Sequence, residues 1–521
     1  MARPNIIIIL ADDLGFSDIS PFGGDIDTPS LERLTARGTR MSSYYVTPRC
    51  SPSRAALLTG CHPHSVGIGI LTTDHRPNGY PGTLSTEAPT LAERLKDEGY
   101  ATGIFGKWHL ATDVSTPNDA WPTRRGFDEF RGFLPGASSY ENPPIVEGER
   151  PVPADELADD FYFTDDVTAS GVDFVHRHAG NEDPFFLFLT YTAPHWPLQA
   201  AEADIAKYRA RYRQGWTKTR ADRLRGVQDA GIVPGVGRLP TDPALPEWPE
   251  QDREWQIERM AVYAAQVESL DRGIGRILDQ LDASGAADDT LVMFFSDNGG
   301  CSEELPAGQS IFNELVCPPQ TRSGERVLIG NDPQIMPGPA NTYQSYGEQW
   351  ATVSNTPFRM WKRWVHEGGI STPFIASWPA GGIATGGGIS RATGHVIDIV
   401  PTVLDAVGAS PQATEGESIL PHLREPTEGA TDRVLFWEHI GNAAVRRGQY
   451  KLVREWGGAW ELYDIVADRI ESNNLAAEKP ELVAELLAEY EDWAISHGVI
   501  PWEDVLADHD ARGVPRIYAM G

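Results

Sequence analysis

The chain opens with Pro4-Asn5-Ile6-Ile7-Ile8-Ile9-Leu10-Ala11-Asp12-Asp13-Leu14-Gly15, and this stretch decides the fold. Residues Ile6 to Leu10 form an apolar run with no polar alternation. Such a run suits a strand covered on both faces, the usual condition in a parallel sheet. Two carboxylates follow it directly. In open α/β sheets, ligands bind beyond the carboxyl ends of the strands.

The same grammar recurs along the chain. Ala101–Phe105, Phe185–Thr190, Leu291–Ser296 and Phe374–Ser377 also read as buried strands. Helical patterns lie between them. Pro29–Arg37 follows Thr28, a candidate N-cap, and precedes Gly38. Leu91–Glu98 follows Thr90, with Glu93 three residues on, a capping-box spacing. Glu254–Leu281 and Ile399–Val407 are further periodic stretches. The alternation predicts an α/β fold with a mostly parallel sheet between helices.

The character changes near the end. Arg433–His439, Ala443–Arg447, Tyr450–Arg454 and Ala459–Tyr463 read as short antiparallel strands, and Pro480–Ser496 as a helix. The polar stretch Ser410–Thr431 separates the two regimes. This predicts a main body over residues 1–415 and a C-terminal α+β subdomain over 416–521.

Bulk properties narrow the function. The 521 residues carry 44 Lys and Arg against 74 Asp and Glu, a net charge of −30. Nucleic acid and anionic membrane surfaces repel such a chain. An anionic substrate therefore requires a local basic pocket. The apolar run at the N-terminus is too short for a signal peptide, and no run has the length of a membrane span. The expectation is a soluble, cytoplasmic protein, unless a leader was removed. Composition does not address oligomeric state. Four cysteines imply no disulfide framework. Cys301 and Cys317 can pair, but buried free thiols are the expected state.

Two irregular stretches stand out. Lys207–Arg225 holds eight basic residues and one acidic residue. It reads as a solvated helix and loop, or as a substrate-facing lid. Cys301–Gln349 is rich in Pro, Gly and polar residues. Tyr343, Tyr346 and Trp350, in and just after it, suit either a pocket wall or core anchors.

The chemistry-bearing residues follow. Asp12 and Asp13 end one strand; Asp297 and Asn298 end another. Three carboxylates and an amide oxygen are hard donors, suited to Ca²⁺ or Mg²⁺. Each pair alone is also an ordinary turn former. Cys50-Ser51-Pro52-Ser53-Arg54 precedes Ala55-Ala56-Leu57-Leu58-Thr59-Gly60. Pro52 suits a first helical turn, which puts Cys50 at a helix N-terminus favourable to anions. A thiol there reads as a nucleophile of lowered pKa, or as a small buried cysteine, the commoner case for an isolated one.

Cys50, Pro52 and Arg54, followed by Ala55, Leu57, Thr59 and Gly60, resemble the signature of the type I sulfatases. The resemblance runs from about residue 4 to 480, in the family's order. Pro4–Gly15 resembles the first metal strand and Ser296-Asp297-Asn298-Gly299 the second. Gly106-Lys107-Trp108-His109 and Ala193-Pro194-His195-Trp196-Pro197 match two further segments. Trp361-Lys362, followed by His366-Glu367-Gly368-Gly369, resembles the segment carrying the last active-site lysine. Lys362 fits the family's five-residue offset from Glu367; Arg363 is the adjacent competitor.

The resemblance implies an alkaline-phosphatase-like fold and hydrolysis of sulfate monoesters. It implies conversion of Cys50 to formylglycine by a maturation enzyme, and a hydrated aldehyde as nucleophile. A divalent cation, Ca²⁺ before Mg²⁺, would be held by Asp12, Asp13, Asp297, Asn298 and modified Cys50. Arg54, Lys107 and Lys362 would clamp the sulfuryl group. His195 would protonate the leaving oxygen, Asp297 would accept the nucleophile's proton, and His109 would assist release of sulfate. The nearest alternative is a phosphonate monoester hydrolase or phosphodiesterase of the same superfamily. A silent metal- and anion-binding protein is the other. The segment Asn355–Trp378 looks more like an arylsulfatase.

Overall fold

The computed structural model describes residues 3–241, 243–308, 313–410, 412–429 and 431–513. In chain order the first strands are β1 Asn5–Asp12, β2 Thr39–Tyr45, β3 Ala101–Lys107, β4 Glu129–Phe133, β5 Val146–Glu147 and β6 Arg150–Pro151. Then come β7 Phe185–Pro194, β8 Thr290–Ser296, the short pair β9 Leu328–Ile329 and β10 Thr342–Tyr343, β11 Phe374–Ser377 and β12 Gly388–His395. One ten-stranded sheet takes the order β12-β2-β11-β8-β1-β7-β3-β4-β5-β6.

Strand β1 is central. It pairs in parallel with β7 on one side (Ile8 opposite Phe188) and with β8 on the other (Ile8 opposite Met293). The missing polar face of its sequence now has a cause. Ile7, Ile9 and Ala11 enter the core on one side of the sheet, and Ile6, Ile8 and Leu10 the core on the other. Each fully buried Ile contributes about 1.5–3 kcal/mol relative to exposure. The sheet is mostly parallel, as expected for α/β. The exceptions are β11, antiparallel to both β2 and β8, and the β4-β5-β6 edge.

The helix Arg253–Ala283 spans 31 residues, about 46 Å of rise. It covers one face together with Pro29–Ala36 and Phe163–His178. Cys50–Thr59, Leu91–Asp97 and Ile399–Val407 cover the other. The capping box of Thr90 and Glu93 is formed. Thr28 differs from expectation: it occupies the cap position, but its hydroxyl accepts from the Ser20 N–H instead. Asp271 of the long helix accepts from the N–H groups of Ser30 and Leu31 at 2.9 and 2.8 Å. A carboxylate distant in sequence thus caps that helix.

The C-terminal strands β13 Val434–His439, β14 Asn442–Arg447, β15 Tyr450–Arg454 and β16 Glu461–Asp464 form an antiparallel sheet. Leu435, Trp437, Ala444 and Val453 pack on Tyr45, Val365 and Ile370 of the main body. Helix Pro480–Ser496 covers the opposite face. The short helix Leu420–Arg424 buries Leu420 and Leu423 in the main core, so that packing continues past residue 415. A last helix, Trp502–Arg512, has no counterpart in the sequence reading. Its Trp502 and Val505 pack on Ile70 and Tyr80. All four cysteines are free thiols, Cys301 and Cys317 included. Among the described residues no helix is long and apolar enough to cross a membrane.

Candidate active site

The tips of β1, β3, β7 and β8 deliver their side chains to one point beside the helix Cys50–Thr59. Asp12 ends β1, and Asp13 follows it in the left-handed region (φ 65°), turning its carboxylate back toward the sheet. Lys107 ends β3, and its Nζ donates to Asp12 Oδ2 at 2.6 Å. His109, also left-handed (φ 58°), follows two residues later. Strained backbone of this kind collects at functional sites. His195 follows β7, and Asp297 and Asn298 follow β8.

The charges interlock. Arg54 lies one turn into its helix, and its Nη2 donates to Asp297 Oδ2 at 2.9 Å while Nη1 donates to the Lys107 carbonyl. Lys362 Nζ reaches the Asp13 carboxylate at 2.8 Å. Arg363 does not compete: its chain turns at φ 86° and its guanidinium lies over Trp364. Asn298 donates from Nδ2 to Asp13 Oδ1 at 2.7 Å. Asp12, Asp13, Asp297, Arg54, Lys107 and Lys362 are all buried.

Cys50 begins its helix and its Sγ lies 3.3 Å from His109 Nδ1. The preceding turn is fixed by Ser53, whose hydroxyl accepts from the Thr47 N–H at 3.1 Å. Of the two readings of this thiol, the structure shows the buried one. Burial pushes its pKa up, and Lys107 and Lys362 only oppose that. Being at a helix N-terminus does not offset removal from water. As a cysteine, residue 50 is therefore a poor nucleophile; its Sγ marks where an oxygen would stand after oxidation.

The histidines are held neutral. Burial, then Lys107, pushes His109 well down. Burial brings His195 to about 4 against the pull of Asp13. His195 Nδ1 faces the Trp196 carbonyl at 2.6 Å, so it carries the proton. Its Nε2 is then turned toward Asp13 Oδ2, at 3.5 Å. Asp297 is pushed up by burial and by Asp12 beside it. Asp12 is held down, against burial, mainly by Lys107.

The donor set fits a hard divalent cation. Asp12 Oδ1 and Asn298 Oδ1 are buried acceptors with no hydrogen-bond partner among the described residues. Leaving such oxygens bare is costly unless a cation meets them. The charges agree: three buried carboxylates already balance three buried cations. An anionic substrate needs further positive charge at this point.

A cavity of about 470 Å³ opens above the cluster. Cys50, His109, His195 and Lys362 form its floor, and Arg49 and Glu303 (2.8 Å apart) one wall. Trp196 donates to Glu303 at 2.9 Å. Leu71, Val114, Pro135, Ala137 and Val316 make the rest largely apolar. These wall residues were not legible in sequence, except that Arg49 directly precedes Cys50. Lys207–Arg225 does not line this cavity, so it is no lid over it. Its helices are pinned by ion pairs, with Arg223 buried against Asp18 and Asp25. Tyr343, Tyr346 and Trp350 are core anchors and lie off this cavity.

A family model described as Sulfatase matches residues 4–409. The chain belongs to the sulfatase family. A second model, for the C-terminal region of N-sulphoglucosamine sulphohydrolase, matches residues 358–493 of this sulfatase. An uncharacterised sulfatase of Schizosaccharomyces pombe is 33% identical, covering 96% of this chain and 95% of its own. An arylsulfatase of Klebsiella aerogenes is 34% identical over 78% of this chain and 88% of its own. The crystal structure of Ps i-CgsB in complex with k-i-k-neocarrahexaose shares the fold, at TM-score 0.70 and 24% identity over 99% of both chains. The expected fold and enzyme class are thereby met: the sulfatase is a sulfuric ester hydrolase with an alkaline-phosphatase-like body. A metal ion and formylglycine are general features of its family.

Proposed function

We propose that this sulfatase hydrolyses sulfate monoesters of compact apolar alcohols, aryl sulfates first, with residue 50 as the nucleophile. One observation carries this: Cys50, His109, His195 and Lys362 line one cavity whose walls are largely apolar, and the buried cations Arg54 and Lys107 stand behind them, ion-paired to Asp297 and Asp12.

Oxidised to formylglycine and hydrated, residue 50 supplies an oxygen nucleophile at the place of its Sγ. Asp12, Asp13, Asp297 and Asn298, with residue 50, would hold Ca²⁺, which neutralises a sulfuryl oxygen and acidifies the hydroxyl beside it when bound. Lys107 and Lys362 hold fixed positive charge against the other sulfuryl oxygens. Arg54, fixed by Asp297 and the Lys107 carbonyl, keeps the helix N-terminus aimed at the same group. His195 presents Nε2 toward the leaving oxygen, and an arriving sulfate monoanion raises its proton affinity. His195 then acts as general acid. His109 Nδ1, beside position 50, is placed to take a proton from that residue's hydroxyl as sulfate leaves. The apolar wall desolvates an aryl group and orients it over His195.

Cys50→Ala is expected to abolish turnover of 4-nitrophenyl sulfate while circular dichroism and thermal midpoint stay near wild type. Activity within about tenfold of wild type would sink the scheme. Parallel rates on an aryl phosphonate monoester and a phosphodiester should fall well below the sulfate rate. Mass spectrometry of the peptide containing residue 50 reports its conversion.

A further inference from the structure

A second cluster of metal-ligating side chains lies at the far end of the helix that begins with Cys50. His62 follows that helix, Glu415 lies in the segment joining the body to the C-terminal sheet, and His497 ends helix Pro480–Ser496. One donor atom from each lies within 4.8 Å of the others. We propose that His62, Glu415 and His497 form a binding site for a borderline divalent ion of the Zn²⁺ type, clamping the C-terminal helix onto the body.

The donor set differs in kind from that of the catalytic centre. Two imidazoles and one carboxylate select Zn²⁺ and its transition-metal neighbours; all-oxygen sets select Ca²⁺ and Mg²⁺. The spacing is close to what such an ion requires. His497 Nε2 stands 3.6 Å from Glu415 Oε1, and tetrahedral ligands at ~2.0–2.1 Å from zinc are roughly 3.3 Å apart.

The supporting contacts aim these atoms. His497 Nδ1 faces the Trp493 carbonyl at 2.9 Å, so it carries the proton and leaves the Nε2 lone pair toward Glu415. This backbone anchor is the usual partner of a ligating histidine. Glu415 Oε2 accepts from the His62 N–H, while Oε1 faces His497 Nε2 and accepts from the Ser65 hydroxyl at 3.4 Å. The Glu415 N–H donates to the Gly60 carbonyl at 2.8 Å, fastening the segment to the end of the Cys50 helix. The rings of His62 and His497 meet edge to face with centroids 5.1 Å apart. His395 stands a further 6.1 Å from His62. Burial and these neighbouring rings keep His62 neutral, the form that ligates. Arg433, whose charge reaches His62, is committed to Asp398 at 2.6 Å.

His62 is buried, while Glu415 and His497 are partly exposed, so the ion can enter and a fourth position stays open to water. Occupancy would join three segments far apart in sequence, and binding free energy becomes stability of the C-terminal attachment.

The test uses the mature enzyme saturated with Ca²⁺, titrated with Co²⁺ and followed by visible absorption, then back-titrated with Zn²⁺. Wild type is expected to take up one Co²⁺ with a ligand-field band that Zn²⁺ removes. Zn²⁺ should also raise the thermal midpoint. His497→Ala and Glu415→Gln should each weaken Zn²⁺ binding at least about tenfold and abolish the thermal shift. Their metal-free midpoints and 4-nitrophenyl sulfate rates should stay near wild type, which separates lost ligation from lost folding. The proposal is overturned if wild type binds no Zn²⁺ at 0.1 mM, or if both variants keep the wild-type band and affinity.

Discussion

Lys107 shows what a single buried charge does here. It is fully buried, and its ammonium is 2.6 Å from Asp12. Removing one partner of a buried pair costs about 3–5 kcal/mol, and here Asp12 would keep only Arg54, at 3.5 Å. Lys107→Met should therefore lower stability by that order in metal-free protein, read from urea unfolding. It should also reduce kcat/KM on aryl sulfate by roughly 10²–10³. The double variant with Asp12→Asn should regain much of the stability and none of the activity. A double variant as unstable as the single one would contradict this pairing. At this scale the sequence was most informative. Asp12, Asp13, Cys50, Arg54, Lys107, His109, His195, Asp297, Asn298 and Lys362 were all legible, because each sits in a short local pattern. The Arg49–Glu303–Trp196 wall was not, since its members meet only through the fold. The state of the Cys50 thiol is open in the sequence, because burial is a property of the surroundings and not of the motif.

The strand ends show why elements must stop where they do. Gly106 has φ +122°, and a Cβ there would stand 2.0 Å from the Thr190 carbonyl oxygen of the adjacent strand. That close approach aims the next residue, Lys107, at the cluster. Gly106→Ala should cost at least about 2 kcal/mol, from strain and overlap together. The control is Gly180→Ala, where a Cβ would meet nothing within 4 Å. Thermal midpoints of the two variants check this, and equal midpoints would contradict it. Elements with unbroken apolar runs were readable, β1, β7 and β8 above all. β2 (Thr-Arg-Met-Ser-Ser-Tyr-Tyr) and β12 (Gly-Ile-Ser-Arg-Ala-Thr-Gly-His) were not, because their polar residues are buried by neighbouring strands. The orientation of β11 also escaped, since strand composition carries no direction. Trp502–Arg512 is hard to read because its apolar contribution is small: Trp502 and Val505 are buried and Leu506 partly so.

The whole molecule carries a set of histidines buried neutral, and this sets its response to acid. Burial and the adjacent His509 bring His75 to about 4; burial and Arg433 bring His395 to about 3. Their unfolded value is about 6.5. Between that value and the folded one, the unfolded chain binds protons that the folded chain refuses. Stability from these groups is complete above pH 6.5 and is lost as pH falls through the folded values. Over the fall from pH 6.5 to 4.5 each accounts for about 3 kcal/mol. Asp271, pushed up to about 6 by burial, works in the opposite sense, as do Asp297, Asp398, Glu141 and Glu348, which burial also pushes up. The histidines held down (His62, His75, His109, His195, His395 and His439) outnumber these carboxyls, so urea midpoints should fall between pH 6.5 and 4.5. A flat series would refute this. The α/β class and the small C-terminal sheet were legible in sequence. The packing limit was less so: Leu420 and Leu423 serve the main core although their surroundings are polar. The contributors to the candidate site are spread along the chain from Asp12 to Lys362, about 350 residues. At ~5–20 residues per second, a ribosome needs roughly 20–70 s to make that stretch. Throughout that interval Asp13 waits for Lys362, its counter-charge, and the ring of charge around position 50 lacks its last member. Any oxidation of the sulfur there during synthesis would meet a site not yet closed by that lysine.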